Sequence, residues 1–127
     1  MTPDPAPLEE WHCLRLLAKS SVGRVVYTVG ALPAVLPVRF RLDGHNNVLL
    51  RAAAGSEFLR AVRDALVAFQ TDAVSGADGS GWSVTVLGRA EADPESPEPR
   101  HGDQVAVRIH SEWVTGRLLP AAPSPPP

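Results

Sequence analysis

The chain has 127 residues, a net charge of −2 and a pI of about 6.0, with 44% hydrophobic and 20% charged residues. That is enough for one domain with a real core and too little for two. The slight acidity argues against general nucleic-acid binding, which needs a surplus of Lys and Arg. No apolar run approaches the roughly 20 residues of a membrane span, and the N-terminal MTPDPAP lacks the basic and apolar regions of a signal peptide. Cys13 is the single cysteine, so neither a disulfide framework nor a thiolate metal cluster is expected. The expectation is a cytoplasmic protein that meets neither membrane nor nucleic acid.

Residues 1–7 carry three prolines and are expected to be disordered. Leu8, Trp11, Leu14, Leu17 and Ala18 recur at helical spacing, which predicts a helix over Leu8–Lys19. Cys13 rides on it as a small buried hydrophobe, because no basic cluster surrounds it to lower the thiol pKa. Arg24–Val29 reads as a strand with Val25, Tyr27 and Val29 on one face. After the turn at Gly30–Pro33, Ala34–Leu42 alternates most clearly: Leu36, Val38, Phe40 and Leu42 face one way, Pro37, Arg39 and Arg41 the other. Pro37 predicts an edge position or a bulge. Asp43-Gly44 is a hairpin turn leading to a strand over Val48–Ala53.

A second helix is predicted from Ser56 to Asp64, with Phe58, Leu59 and Val62 inward and Arg60 and Arg63 outward. Leu66–Thr71 follows as a buried strand, Gly76–Gly81 as a loop and Trp82–Ala90 as a strand. Residues 93–103 form a proline-rich surface loop. Gln104–Ile109 and Trp113–Leu118 make the last strand pair, and 119–127 is a proline-rich tail expected to be disordered. The folded domain thus spans 8–118 and is mainly β with two helices. Short connections imply antiparallel pairing, and so many strands in a small domain favour closure into a barrel.

His12, His45, His101 and His110 never fall at i, i+4 with an acidic partner, so no metal site is expected. There is no G-x-S-x-G elbow, and Glu9-Glu10, Glu95 and Glu98 read as solvated charge. No catalytic acid or base can be assigned. The strongest stretch is Val48–Arg63, where a strand ends, breaks at Ala54-Gly55 and starts a helix. Free backbone N–H groups and the helix dipole there favour an anion. Arg51, Ser56 and Arg60 can converge on a phosphate as guanidinium and hydroxyl donors. Alternatively Ser56 caps its helix, Arg51 is a solvated strand residue and Glu57 pairs with Arg60 at i, i+3. Arg39, on the polar strand face, is a further candidate.

The segments VGRVVYTVGALPAVLPVRF, VLLRAAAGSEF, VAFQTD, SGWSVTVLGRAEA and VTGRLL, in that order, resemble the pyridoxamine 5'-phosphate oxidase-like FMN-binding split-barrel family. The resemblance covers residues 8–118. It implies a six-stranded antiparallel split β-barrel and a homodimer with flavin sites at its interface. It also implies FMN or a deazaflavin as cofactor, and oxidoreductase chemistry on an open substrate. By this resemblance Pro37, Val38, Arg39 and Phe40 lie along the flavin ring, and Arg51, Ala52, Ser56 and Glu57 hold the phosphate, with Arg60 a turn away. Trp82 is a candidate ring contact, or else a barrel or interface tryptophan. Where the family reads R-T-x-x-G-S/T-K, Ala52 lacks the hydroxyl and Glu57 replaces the cation. Each close charge contact at a partly exposed site is worth about 1–4 kcal/mol, so Glu57 beside a phosphate would weaken binding. The alternative is therefore a cofactor-less split-barrel protein with a degenerate phosphate site, serving in binding or regulation.

Overall fold

Alternating apolar and polar residues, broken by glycine, proline and Asp-Gly turns, organise the described residues into nine strands and two helices. The structure, a computed structural model, describes residues 6–93 and 103–123. The loop expected over 93–103 lies mostly outside these residues, as do positions 1–5 and 124–127 of the ends expected to be disordered. The elements are β1 (Ala6–Pro7), α1 (Glu10–Lys19), β2 (Val22–Val29), β3 (Leu32–Arg39), β4 (Arg41–Leu42), β5 (Val48–Ala53), α2 (Glu57–Val62), β6 (Leu66–Val74), β7 (Gly81–Ala92), β8 (Gln104–Ile109) and β9 (Trp113–Leu119).

Every strand pair among the described residues is antiparallel, in the order β3-β2-β6-β7-β8-β5-β4, with β9 also on β7 and β1 on β9. The 12-residue β7 joins the two halves of the sheet. Gly81–Leu87 runs between β6 and β9, whereas Ala90–Ala92 pairs with β8. Gly88 sits at the change of partner, where a side chain would collide with the His110 carbonyl oxygen. The sheet therefore curls there into a split barrel. Among the described residues β3 pairs only with β2 and β4 only with β5, and the split lies between them. Val25, Phe69, Val84 and Val86 from one half meet Val48, Val107 and Ile109 from the other in a buried core. Each such burial contributes roughly 1.5–3 kcal/mol.

The strand expected over Ala34–Leu42 is divided at Phe40. Its N–H donates to the Ser21 carbonyl at 3.0 Å, and its ring turns inward against Phe69 at 4.6 Å between centroids. The chain bends, so β3 stays on β2 while β4 crosses to β5. Pro37 does lie on an edge strand, as its missing N–H requires. The seven expected strands are all present. Dividing one and adding β1 gives nine in place of the implied six.

Helix α1 begins at Glu10 and buries Cys13 and Leu17, not Trp11, which is 60% exposed and stacked on His12. Cys13 packs where Gly116 of β9 leaves no room for a side chain. Two small residues thus set the helix's rotation, and the large one is left outside. Strand β6 runs on to Val74, confining the loop to residues 75–80. Ala6 and Pro7, within the segment expected to be disordered, pair with β9. Leu119 completes β9, and the Ala122 N–H donates to the Asp78 carbonyl.

The outer face of the larger half carries an apolar row. Cross-strand register aligns Val35, Val26, Ala68, Leu87 and Trp113 across β3, β2, β6, β7 and β9, and all but Ala68 are exposed. Among the described residues no helix is long and apolar enough to cross a membrane.

Candidate functional site

The end of β5 leads into the corner singled out by sequence. Arg51 points outward, and Gly55 (φ 77°) turns the chain in the left-handed region that favours glycine. Ser56 then opens α2, its Oγ accepting the Leu59 N–H at 3.1 Å. Ser56 is thus the helix N-cap, and the Ala54 N–H donates to the Asp103 carbonyl at 2.7 Å.

The split, with β3 on one side and β4 and β5 on the other, is a groove of about 660 Å³. Leu36–Arg39 form one wall, Phe40 and Arg41 the bend, and residues 49–53 with Ser56, Phe58 and Gln104 the other wall. Val38, Phe40, Leu50 and Phe58 are buried or half-buried and make an apolar floor, whereas Arg39, Arg41 and Arg51 are exposed on the rim. Phe58 is held by an edge-on contact with Tyr27 at 5.1 Å. Among the described residues no carboxylate lines the groove. The ion pairs among the described residues are Arg24–Asp72, Arg108–Asp43 and His110–Glu91, so none neutralises these three arginines. A rim of like charges over an apolar floor raises the local positive potential and attracts an anion.

The structure therefore brings Pro37, Val38, Arg39, Phe40, Arg51, Ala52 and Ser56 into one groove. Glu57 and Arg60 are elsewhere. They line a separate depression with Thr28, Val29, Gly30 and Ala61, and a terminal N–H of Arg60 donates back to the Gly55 carbonyl. No ion pair joins Glu57 to Arg60 among the described residues. Trp82, half-buried on β7, packs against the core with Ala73 and Leu118 as its strand neighbours. Sequence reasoning missed Arg41, Phe58 and Gln104 as groove residues. Arg41 was legible from its alternation with Arg39, but Gln104 carried no signal.

A second cavity, about 320 Å³, lies on the outer face of β5, β8 and β7 and is lined by Leu49, Glu91, Ala92, Asp93, Ala106, Val107 and Arg108. Its polar groups are held in place. The Arg108 Nε–H donates to Asp43 Oδ2 at 3.0 Å, and His110 Nε2 lies 2.8 Å from Glu91 Oε2. Burial pushes the Asp43 carboxyl up, but the backbone N–H groups of Asn47 and His45, the Asn47 amide and Arg108 outweigh it and hold the pKa at about 2.

Residues 9–124 match the family model for pyridoxamine 5'-phosphate oxidase. The chain belongs to the pyridoxamine 5'-phosphate oxidase family. It is 33% identical over 131 residues to an uncharacterized protein of Mycobacterium tuberculosis, covering 86% of this chain and 82% of that one. Among solved structures it is similar to the FAD binding protein from Mycobacterium smegmatis, with a TM-score of 0.76 and 29% identity over 91% of this chain and 98% of that one. It is also similar to a conserved protein of unknown function from Corynebacterium diphtheriae, with a TM-score of 0.72 and 26% identity over 91% and 99%. In this member of the pyridoxamine 5'-phosphate oxidase family, the unusual Glu57 lies outside the groove, while Ala52 lines it as a 4% exposed side chain with no donor to offer.

Proposed function

We propose that this protein binds a flavin in the groove across the split, holds it at a homodimer interface and works as a redox protein. The observation that carries this reading is the rim of Arg39, Arg41 and Arg51 above an apolar floor, with no carboxylate in the lining among the described residues. A flavin nucleotide presents the complementary pair, a flat ring system and a phosphate. The ring would lie along Pro37–Phe40, whose strand has an edge unpaired among the described residues and able to meet the donor and acceptors of the pyrimidine ring. The phosphate would meet Arg51 and its neighbours. Kinship to a protein from Mycobacterium smegmatis that binds FAD supports the same ligand class.

Ser56 holds its own helix rather than the ligand, so the anion would rest on guanidinium groups. Glu57, in another depression, removes the repulsion that favoured a cofactor-less barrel. When bound, a flavin supplies hydride and one-electron chemistry. This chain's own part would be to orient the ring, neutralise the phosphate and exclude water. The apolar row from Val35 to Trp113 supports the homodimer. It begins on β3, the strand that also walls the groove, so a second copy covering it would reach the groove's rim.

The test is to purify the protein, record its visible spectrum, and titrate FMN and FAD while following flavin fluorescence. Yellow protein, or quenching on titration, is expected. A colourless protein that leaves both flavins' fluorescence unchanged at large excess overturns the reading.

A further inference from the structure

The groove and the second cavity share one residue, Leu49 of β5. Strand register explains how they connect. Arg41 of β4 pairs with Leu49, Leu49 pairs with Arg108 of β8, and Arg108 pairs with Glu91 of β7. Paired residues in an antiparallel sheet point to the same face, so these four form one row on the outer surface. One step along β5, Arg51 pairs with Ala106, and the Asp93 N–H donates to the Ala106 carbonyl. The two depressions are thus the ends of one trough crossing β4, β5, β8 and β7, with β5 and β7 on the order of 10 Å apart.

The charge along this trough is ordered. Arg41 and Arg51 flank Leu49 at the join, while Glu91 and Asp93 stand at the far end. Leu49 and Ala106 give the second cavity a flat, partly apolar floor. Arg108 is fixed through its Nε by Asp43, which leaves its other N–H groups and its planar face available. Glu91 gives one oxygen to His110 and retains acceptor capacity for a further donor.

This order suits a ligand with an anionic middle and a second flat, donor-bearing ring at one end. We infer that the second cavity is a subsite for the adenosine half of a dinucleotide flavin, with the diphosphate at Arg41 and Arg51 and the adenine over Leu49 and Ala106 beside Arg108 and Glu91. The inference rests on the flavin reading above and narrows it to FAD over FMN. FMN would use the groove alone, whereas FAD would fill the trough.

The experiment compares FMN and FAD titrations, by flavin fluorescence, on the wild type, Ala106→Trp and Arg41→Gln. Ala106 is half-buried on the outer face of its strand, where a tryptophan suits β structure and fills the cavity. FAD is expected to bind the wild type about ten-fold or more tightly than FMN. Ala106→Trp should erase that advantage and leave FMN affinity unchanged. Arg41→Gln, which leaves the cavity open, should weaken FAD several-fold more than FMN. Equal wild-type affinities, or variants that weaken both flavins alike, overturn the subsite and leave the flavin reading standing. Failure of the wild type to bind either flavin overturns both.

Discussion

Phe40 meets Phe69 nearly edge-on, with ring centroids 4.6 Å apart and planes at 62°. One ring comes from the bend between β3 and β4 and the other from the centre of β6. This contact pins the bend to the core, and the bend is what opens the groove. Phe40→Ala is expected to destabilise the protein by about 3–5 kcal/mol, the usual cost of emptying a buried aromatic site, and to weaken flavin binding as the groove floor relaxes. Urea denaturation measures the first effect and fluorescence titration the second. A loss under about 1 kcal/mol would mean the bend is held by its backbone alone.

Arg51 and Glu57 lie six positions apart and should behave oppositely. Arg51→Ala removes a charge from the groove rim, and flavin affinity is expected to fall by about 1.5–3 kcal/mol, or roughly ten- to a hundred-fold. Stability should hardly change, because Arg51 is exposed and makes no ion pair with an acidic side chain among the described residues. Glu57→Lys should leave flavin affinity within a factor of about two, since screening is strong between exposed groups in separate depressions. It should cost about 0.3–1 kcal/mol of stability, because Glu57 sits in the first turn of α2, where a negative charge suits the helix dipole. A marked change in affinity for Glu57→Lys would show that the side chain reaches the phosphate.

Asp43 couples the hairpin between β4 and β5 to the second cavity through Arg108. Its folded pKa, about 2, lies below the ordinary value of 3.8. The unfolded chain therefore binds the proton more readily, and stability from Asp43 is present above about pH 4 and lost as pH falls towards about 2. Asp43→Asn should lower stability at neutral pH and flatten the acid limb of the curve in that window. Chemical denaturation from neutral to acid pH reads both. An acid limb as steep as in the wild type would assign the loss to other carboxylates.

Leu87 stands fourth in the apolar row of five, between Ala68 and Trp113 in register. If a second copy covers that face, Leu87→Lys should yield a monomer by sedimentation, with domain stability in the monomer altered by only about 0.5 kcal/mol, as for other surface changes. Flavin binding should weaken with it, because β3 contributes to both the row and the groove. A variant that sediments like the wild type would place the interface elsewhere.

The sequence by itself determined seven strand segments, the two helices, the edge position of Pro37 and the capping role open to Ser56. These follow from local alternation, turn residues and the missing N–H of proline, all properties of near neighbours in the chain. It also made Arg51 and Arg39 visible as candidates, since their strands are regular and their faces alternate. Only the tertiary structure decided which candidates meet. The bend at Phe40 depends on Phe69, 29 positions away in the chain, and no periodicity encodes it. The setting of α1 depends on Cys13 finding the space left by Gly116, so Leu8, Leu14 and Leu17 of the expected face pack on the core while Trp11 and Ala18 are left exposed. For Glu57 the helix start alone left the direction open. The placement of α2 against β2 and β5 turned that carboxylate into a depression with Thr28 and Gly30, away from Arg51. A one-dimensional pattern gives the face of an element, whereas the partner that face meets is settled by packing across the sheet.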